Sequence, residues 1–102
     1  MLKIIDNKIY DTEKTTELYE YIHKYPKKTI FGTTITYTEK VKVFKTKKGN
    51  YFNYFYPDEK DNLDWSRERI ESTTELEFKE LLKDIDPKKY IELFGNLELE
   101  EA

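Results

Sequence analysis

Residues able to perform acid–base or nucleophilic chemistry are few in this chain of 102 residues, which contains one histidine and no cysteine. General acid–base catalysis needs a poised group held against an orienting partner, and His23 has no such partner in its sequence neighbourhood. The two serines, Ser66 and Ser72, lie in neither a nucleophile elbow nor an S-x-x-K sequence. Lys48-Gly49 has the composition of a turn and not of a phosphate-binding loop. We therefore expect a non-enzymatic protein with His23 at its surface.

Metal ions and cofactors are not indicated either. The carboxylates between positions 58 and 64 lack the D-x-D-x-D-G spacing of a calcium loop, so a solvated loop is the favoured interpretation. The absence of cysteine excludes disulfides and thiolate metal sites and favours a cytoplasmic location. No signal peptide is evident, and no apolar run approaches the roughly 18 residues that a membrane span needs. We expect no metal, no cofactor and no membrane partner.

Charge is distributed unevenly along the chain. Residues 1–57 contain 11 lysines and 6 acidic residues, whereas residues 58–102 contain 15 acidic and 7 basic residues. The two parts therefore carry net charges of +5 and −8, which give −3 for the whole chain. Such polarity bears on the choice of partner and not on the fold.

Residues 41–56 predict a central β-hairpin. Two β-favouring runs flank the sequence KKGN, in which Gly49 supplies the positive φ of a short connection. Because side chains alternate between the faces of a strand, the second run, residues 51–56, has aromatic residues on both faces. Such a strand is either covered on both sides or presents aromatic side chains to a partner. The sequence leaves open whether three aromatic residues belong to the core or to an interface: Phe52, Phe55 and Trp65. For Phe52 and Trp65 we favour the core.

Helical periodicity predicts three helices. The first begins at a cap near Thr12 and ends before Pro26, the second begins at the capping box Thr74/Glu77, and the third begins at Asp86-Pro87 and ends at Gly95. The first carries the apolar stripe Leu18, Tyr21, Ile22 and Tyr25, and the second carries Phe78, Leu81, Leu82 and Ile85.

These elements together predict one α+β domain over residues 1–102. We expect a small antiparallel sheet around the central hairpin, with the two C-terminal helices packed on it and one N-terminal helix nearby. Residues 2–5 and 8–10 are expected to form a small ribbon around the turn-prone pair Asp6-Asn7. A short strand is expected at residues 67–71, and the acidic tail 97–102 is expected to fray.

Several segments carry a resemblance to a known group. Residues 4–12, the GNYF turn within 46–52, the capped helix within 70–82, and residues 86–90 and 93–95 resemble a group of small uncharacterised proteins from Firmicutes and their mobile elements. The chain departs from that pattern directly after the GNYF turn, where aromatic and acidic residues replace a glycine-rich stretch. The resemblance implies no activity. It implies a phage or plasmid accessory protein, of which anti-CRISPR inhibitors are a known class.

The first functional hypothesis is a protein-binding inhibitor or adaptor, most concretely an anti-CRISPR protein. Aromatic residues are enriched at interface hot spots, and surrounding charge steers the encounter with an oppositely charged partner. An acidic surface with aromatic anchors would occupy the basic channel of a nucleic-acid-binding effector. The residues expected to form this surface are Tyr54, Tyr56, Asp58, Glu59, Asp61, Asp64 and Trp65.

The alternative hypothesis is a nucleic-acid-binding accessory protein. Lysines that contact phosphates, combined with aromatic side chains that stack on bases, are how single-stranded nucleic acid is bound. Lysines on a strand also protect an exposed edge from aggregation, which is the simpler explanation of the same residues. The residues expected to form the basic face are Lys40, Lys42, Lys45, Lys47, Lys48 and Tyr51.

Overall fold

A computed structural model of the chain describes residues 1–57 and 68–102, which fall into two compact units, Met1–Ser72 and Thr73–Ala102. Within the described residues there are six strands and two helices. In chain order these are β1 (Leu2–Ile5), β2 (Lys8–Asp11), β3 (Thr16–Lys28), β4 (Thr34–Lys45), β5 (Tyr51–Pro57), β6 (Arg69–Thr73), α1 (Glu75–Ile85) and α2 (Pro87–Phe94).

The predicted α+β fold with three helices is wrong. The described residues form a mostly β structure with two antiparallel sheets, one of two strands (β1-β2) and one of four strands in the order β3-β4-β5-β6. Both helices are C-terminal, and the N-terminal helix predicted for residues 12–25 is absent, because β3 occupies this segment. The same residues also alternate at a period of two, and pairing along the whole length of β4 selects the strand.

Strands β3 and β4 form an unusually long hairpin. Their pairing runs from Thr16↔Lys45 to Lys28↔Thr34, with a bulge between Glu17 and Tyr19. Among the described residues, β5 pairs with β4 only from Lys45↔Tyr51 to Glu39↔Pro57. The outer part of the hairpin, residues 24–38, therefore lies beyond the described β4–β5 pairing, and we name it the distal ribbon.

The predicted turns of the first unit are confirmed. Asp6 and Asn7, with φ of 51° and 61°, connect β1 to β2. This left-handed geometry at two successive residues suits a two-residue hairpin, and Asp and Asn tolerate it better than most residues do. Gly49, with a φ of 87°, lies in the turn between β4 and β5, as the sequence predicts.

An aromatic cluster forms the core on one face of the four-stranded sheet. Phe52 is fully buried, stacks on Phe44 at a centroid distance of 5.0 Å, and meets the ring of Tyr10 edge-on at 5.3 Å. Ile70 completes the cluster. Phe55 is also buried, on the opposite face from Phe52. Phe52 and Phe55 are therefore core residues, whereas Trp65 lies outside the described residues.

The second unit is a pair of capped helices. The hydroxyl of Thr74 accepts a hydrogen bond from the backbone N–H of Glu77 at 3.1 Å, and Asp86 caps α2 by accepting from Lys89 N at 3.2 Å. Gly95 ends α2 with a φ of 77°. The predicted caps at Thr74 and Asp86 and the predicted end at Gly95 are confirmed, but the Glu77 carboxylate of the predicted capping box accepts from the Thr73 hydroxyl, at 2.7 Å. Neither described helix has the length and apolar character required to cross a bilayer.

The predicted apolar stripe of α1 is only partly correct. Phe78 and Leu82 are buried and Leu81 is half-buried, but Ile85 is 45% exposed. Ile85 is the last residue of α1, where the stripe runs out. Phe94 of α2 lies edge-on to Phe78 at a centroid distance of 6.0 Å.

Candidate functional site

A buried carboxylate lies on β4, one of the two inner strands of the four-stranded sheet. Glu39 of β4 is 1% exposed and accepts two hydrogen bonds from the guanidinium of Arg69 on β6, at 2.9 Å and 3.1 Å. Directly across the ladder, Nδ1 of His23 on β3 lies 3.3 Å from Glu39 Oε1. The guanidinium carbon of Arg69 lies 3.9 Å from the centroid of the Phe55 ring on the intervening strand. We name these residues the Glu39 network.

Electrostatics hold Glu39 ionised. Burial raises the pKa of this carboxyl, but the hydrogen bonds and positive charge of Arg69 and His23 outweigh burial, and the pKa of Glu39 is lowered overall. The hydrogen bonds to Glu39 raise the pKa of Arg69 in turn. Burial and the charge of Glu39 together raise the pKa of Tyr21, on the same face of β3.

The geometry of the Glu39 network indicates a structural role. Both oxygens of Glu39 are occupied by Arg69, so the carboxylate has little capacity left to act as a base. His23 is half-exposed, and its contact with Glu39 fixes the orientation of its ring. The described residues contain no group of His, Cys, Asp or Glu side chains suited to a metal ion. We conclude that the network ties β3, β4 and β6 together.

A basic cleft is the second concentration of charge. It has a volume of about 510 Å³ and lies between the β1–β2 turn, the loop after β2 and the β4–β5 turn. Apolar side chains such as Leu2 and Ile9 line part of the cleft. We name it the lysine cleft after the four lysines that also line it: Lys8, Lys14, Lys47 and Lys48.

Local hydrogen bonds give the loops of the lysine cleft their shape. The hydroxyl of Thr15 donates to the carbonyl oxygen of Asp11 at 2.7 Å, and this closes the loop that carries Lys14. Thr46 N donates to the carbonyl oxygen of Asn50 at 2.8 Å, and Asn50 N donates to the Thr46 hydroxyl at 3.0 Å. This second pair of bonds closes the turn that carries Lys47 and Lys48.

The lysines of the cleft have no carboxylate partners among the described residues. Asp11 is the one acidic residue lining this cleft in the described part of the chain, and its Oδ1 accepts from the backbone N–H of Glu13 at 3.0 Å. Lys42, by contrast, lies 3.2 Å from a carboxylate oxygen of Glu17 and 3.8 Å from one of Glu20. Within the described residues, therefore, no ion pair neutralises the positive charge of these four lysines.

The predicted basic face is distributed over several places. Lys47 and Lys48 line the lysine cleft, and Lys45 lines a smaller adjoining cleft of about 220 Å³. Lys40 and Lys42 lie on the opposite face of β4 from Lys45, above the ring of Tyr56. Tyr51 is buried, and Lys45 lies 5.5 Å from its ring centroid.

Only two residues of the predicted acidic and aromatic surface lie in the described part of the chain. Tyr54 and Tyr56 stack at a centroid distance of 5.4 Å. Burial and hydrogen bonds, to Glu68 and Glu20 respectively, raise the pKa of each hydroxyl to about 12. The other predicted residues, Asp58, Glu59, Asp61, Asp64 and Trp65, lie outside the described residues.

The sequence analysis predicted neither the Glu39 network nor the full set of lysines in the lysine cleft. Alternation of Tyr19, Tyr21, His23 and Tyr25 was a detectable sign that His23 belongs to a strand. No comparable signal links Lys8 and Lys14 to Lys47, because these residues come to one cleft only through the packing of β2, the loop after it and the β4–β5 turn. The same holds for Glu39 and Arg69, which are 30 positions apart.

Comparison with known proteins returned no match: no family model, no curated protein and no solved structure is significantly similar to the chain.

Proposed function

We propose that this protein is a non-enzymatic nucleic-acid-binding accessory protein that holds the phosphate backbone in the lysine cleft. The observation that carries the proposal is that one cleft is lined by four lysines from three places in the chain, the start of β2, the loop after β2 and the β4–β5 turn, and that none of them is ion-paired with a described residue. A cleft lined by charges of one sign concentrates a positive potential, which attracts a polyanion. The overall charge of −3 does not oppose this, because the acidic excess belongs to residues 58–102.

The chemistry of the cleft favours phosphate contacts over recognition of bases. Lysine binds phosphate as a flexible point charge and does not impose the planar fork of arginine. Neutralising about four phosphates releases counterions, and affinity for duplex DNA should then fall roughly 100-fold between 50 and 200 mM salt. Sequence preference should be weak, because phosphate contacts carry no direct sequence information.

Fluorescence anisotropy with labelled single- and double-stranded oligonucleotides tests the proposal. We expect binding at about 50 mM salt that declines steeply as salt is added. Lys47→Ala/Lys48→Ala and Lys8→Ala/Lys14→Ala should each weaken binding and reduce the salt slope by roughly two. Lys83→Ala/Lys89→Ala removes the same charge from helix lysines that are paired with Glu80 and Glu92, and it should leave affinity nearly unchanged. No binding by the wild type at low salt would overturn the proposal.

A protein-binding inhibitor of the anti-CRISPR type is the second candidate. The stacked pair Tyr54 and Tyr56, which directly precedes the acidic stretch of the sequence, supports it. Co-purification with candidate CRISPR effectors, followed by a nucleic-acid cleavage assay, tests this function. We expect inhibition that is lost in Tyr54→Ala/Tyr56→Ala, and an absence of binding and inhibition at roughly micromolar concentration would contradict it.

A further inference from the structure

The distal ribbon ends in two exposed apolar side chains. Ile30 is 94% exposed and Phe31 is 85% exposed, and both lie in the turn that joins β3 to β4. Ile30 and Phe31 are neighbours in the chain and together form an exposed apolar patch, and exposed apolar patches mark contact sites for a partner. The tip therefore has the character of a contact point.

Hydrogen bonds hold the turn in one shape. Thr29 N donates to the carbonyl oxygen of Thr33 at 2.8 Å, and the hydroxyls of the same two threonines lie 2.7 Å apart. The backbone N–H groups of Gly32 and Phe31 donate to the carbonyl and hydroxyl oxygens of Thr29 at 3.1 and 3.3 Å. Ile30 and Phe31 are thus presented on a preorganised turn, which lowers the entropic cost of inserting them into a partner.

The sequence of the distal ribbon selects an anionic partner. Residues 24–38 contain Lys24, Lys27 and Lys28 and no acidic residue. Addition of a partner strand along β3 is disfavoured, because Pro26 lacks an N–H, the lysines charge the edge, and the bulge near Glu17 interrupts it. A cationic ribbon with an apolar tip is suited to a nucleic-acid groove.

We propose that the distal ribbon enters a groove of double-stranded DNA and inserts Ile30 and Phe31 at a base step, which unstacks the step and kinks the duplex. Apolar wedges at base steps act in this way, and a bent duplex contacts more protein surface. The proposal rests on the proposed function, since the lysine cleft supplies the phosphate contacts.

The length of the hairpin matches the spacing of the duplex. The thirteen residues of β3 separate the lysine cleft, which is lined by Thr15, from the tip. At about 3.3 Å per residue this distance is roughly 40 Å, close to one helical turn of B-DNA, roughly 35 Å. At about 3.4 Å per base pair, a duplex shorter than about 12 base pairs cannot contact both ends and should bind more weakly than one of about 20.

The test uses the full chain and a 24-base-pair duplex, roughly two helical turns, with a central TA step, which unstacks easily. Fluorophores at the two ends report bending by energy transfer, and 2-aminopurine beside the step reports unstacking. We expect the wild type to increase both signals. Ile30→Ala/Phe31→Ala should still bind through the lysine cleft, with about tenfold lower affinity, and should produce neither signal. Leu97→Ala, which truncates an apolar residue that is 99% exposed elsewhere, is the matched control and should behave as wild type.

Each remaining outcome overturns the inference in a distinguishable way. If Ile30→Ala/Phe31→Ala bends and unstacks the duplex as the wild type does, the wedge is wrong and the proposed function stands. If the wild type binds no DNA, both fail. If the tip residues are instead required for binding to vesicles of phosphatidylserine and phosphatidylcholine, while DNA is not bent, the ribbon contacts a lipid surface and the DNA wedge is rejected. Because Ile30 and Phe31 are exposed, their truncation should leave the circular dichroism spectrum unchanged.

Discussion

Arg69 reaches across the sheet to Glu39 and binds it with two parallel hydrogen bonds, at 2.9 Å and 3.1 Å. The two residues belong to β6 and β4, and β5 lies between them. The guanidinium bridges this gap by lying on the ring of Phe55, with its central carbon 3.9 Å from the ring centroid. Loss of either partner would break a cross-strand tie and leave the other group unsatisfied.

Arg69→Met should destabilise the protein because it leaves the carboxylate of Glu39 buried without its main partner. Removing one member of a buried pair costs about 3–5 kcal/mol, and the partial exposure of Arg69 should bring this to the lower end of that range. Glu39→Gln/Arg69→Met should recover part of the loss. Urea denaturation of the four proteins in the cycle measures the effect, and equal unfolding free energies for the wild type and Arg69→Met would contradict it.

Acid should weaken the Glu39 network. The pKa of Glu39 is lowered from an ordinary value of 4.5 in the folded state, so the stability it contributes is fully present above 4.5. That stability is lost as pH falls through the lower, folded pKa. Arg69, His23 and Tyr21 face this carboxyl from the neighbouring strands. We expect the difference in unfolding free energy between the wild type and Glu39→Gln to shrink between about pH 4.5 and pH 2, and a constant difference would contradict the assignment.

Leu82→Ala should destabilise the helical unit because Leu82 is fully buried. Truncation of a buried leucine costs about 2–5 kcal/mol, which for a chain of this size lowers the melting temperature by roughly 10 °C or more. Leu97→Ala makes the same chemical change at a residue that is 99% exposed and should barely alter melting. Similar small shifts in both variants, measured by calorimetry, would show that Leu82 is not a core residue.

Gly49→Ala should strain the turn that carries Lys47 and Lys48. The φ of Gly49 is 87°, and no atom lies within 4 Å of the position that a Cβ would take, so the cost comes from the backbone alone. It should be about 1–2 kcal/mol, and Gly49→Asn should cost less because Asn tolerates positive φ. Thermal melting ranks the three proteins, and an alanine variant as stable as the wild type would contradict the strain.

Local signals in the sequence predicted several elements correctly. The central hairpin, its glycine turn, the capping box at Thr74 and the cap at Asp86 all depend on residues within a few positions of one another. The prediction of an N-terminal helix is wrong because residues 16–25 fit two patterns at once, the apolar stripe of a helix and the alternation of a strand. Pairing with β4, which no local pattern encodes, selected the strand.

The sequence by itself determined the turns, the helix caps, the aromatic character of β5 and the unequal distribution of charge, because each follows from neighbouring residue types. Tertiary structure alone decided that Glu39 is buried against Arg69 and that Lys8 and Lys14 share a cleft with Lys47. The physical reason is that these relationships join residues distant along the chain, and only the pairing and packing of the strands set the distances between them.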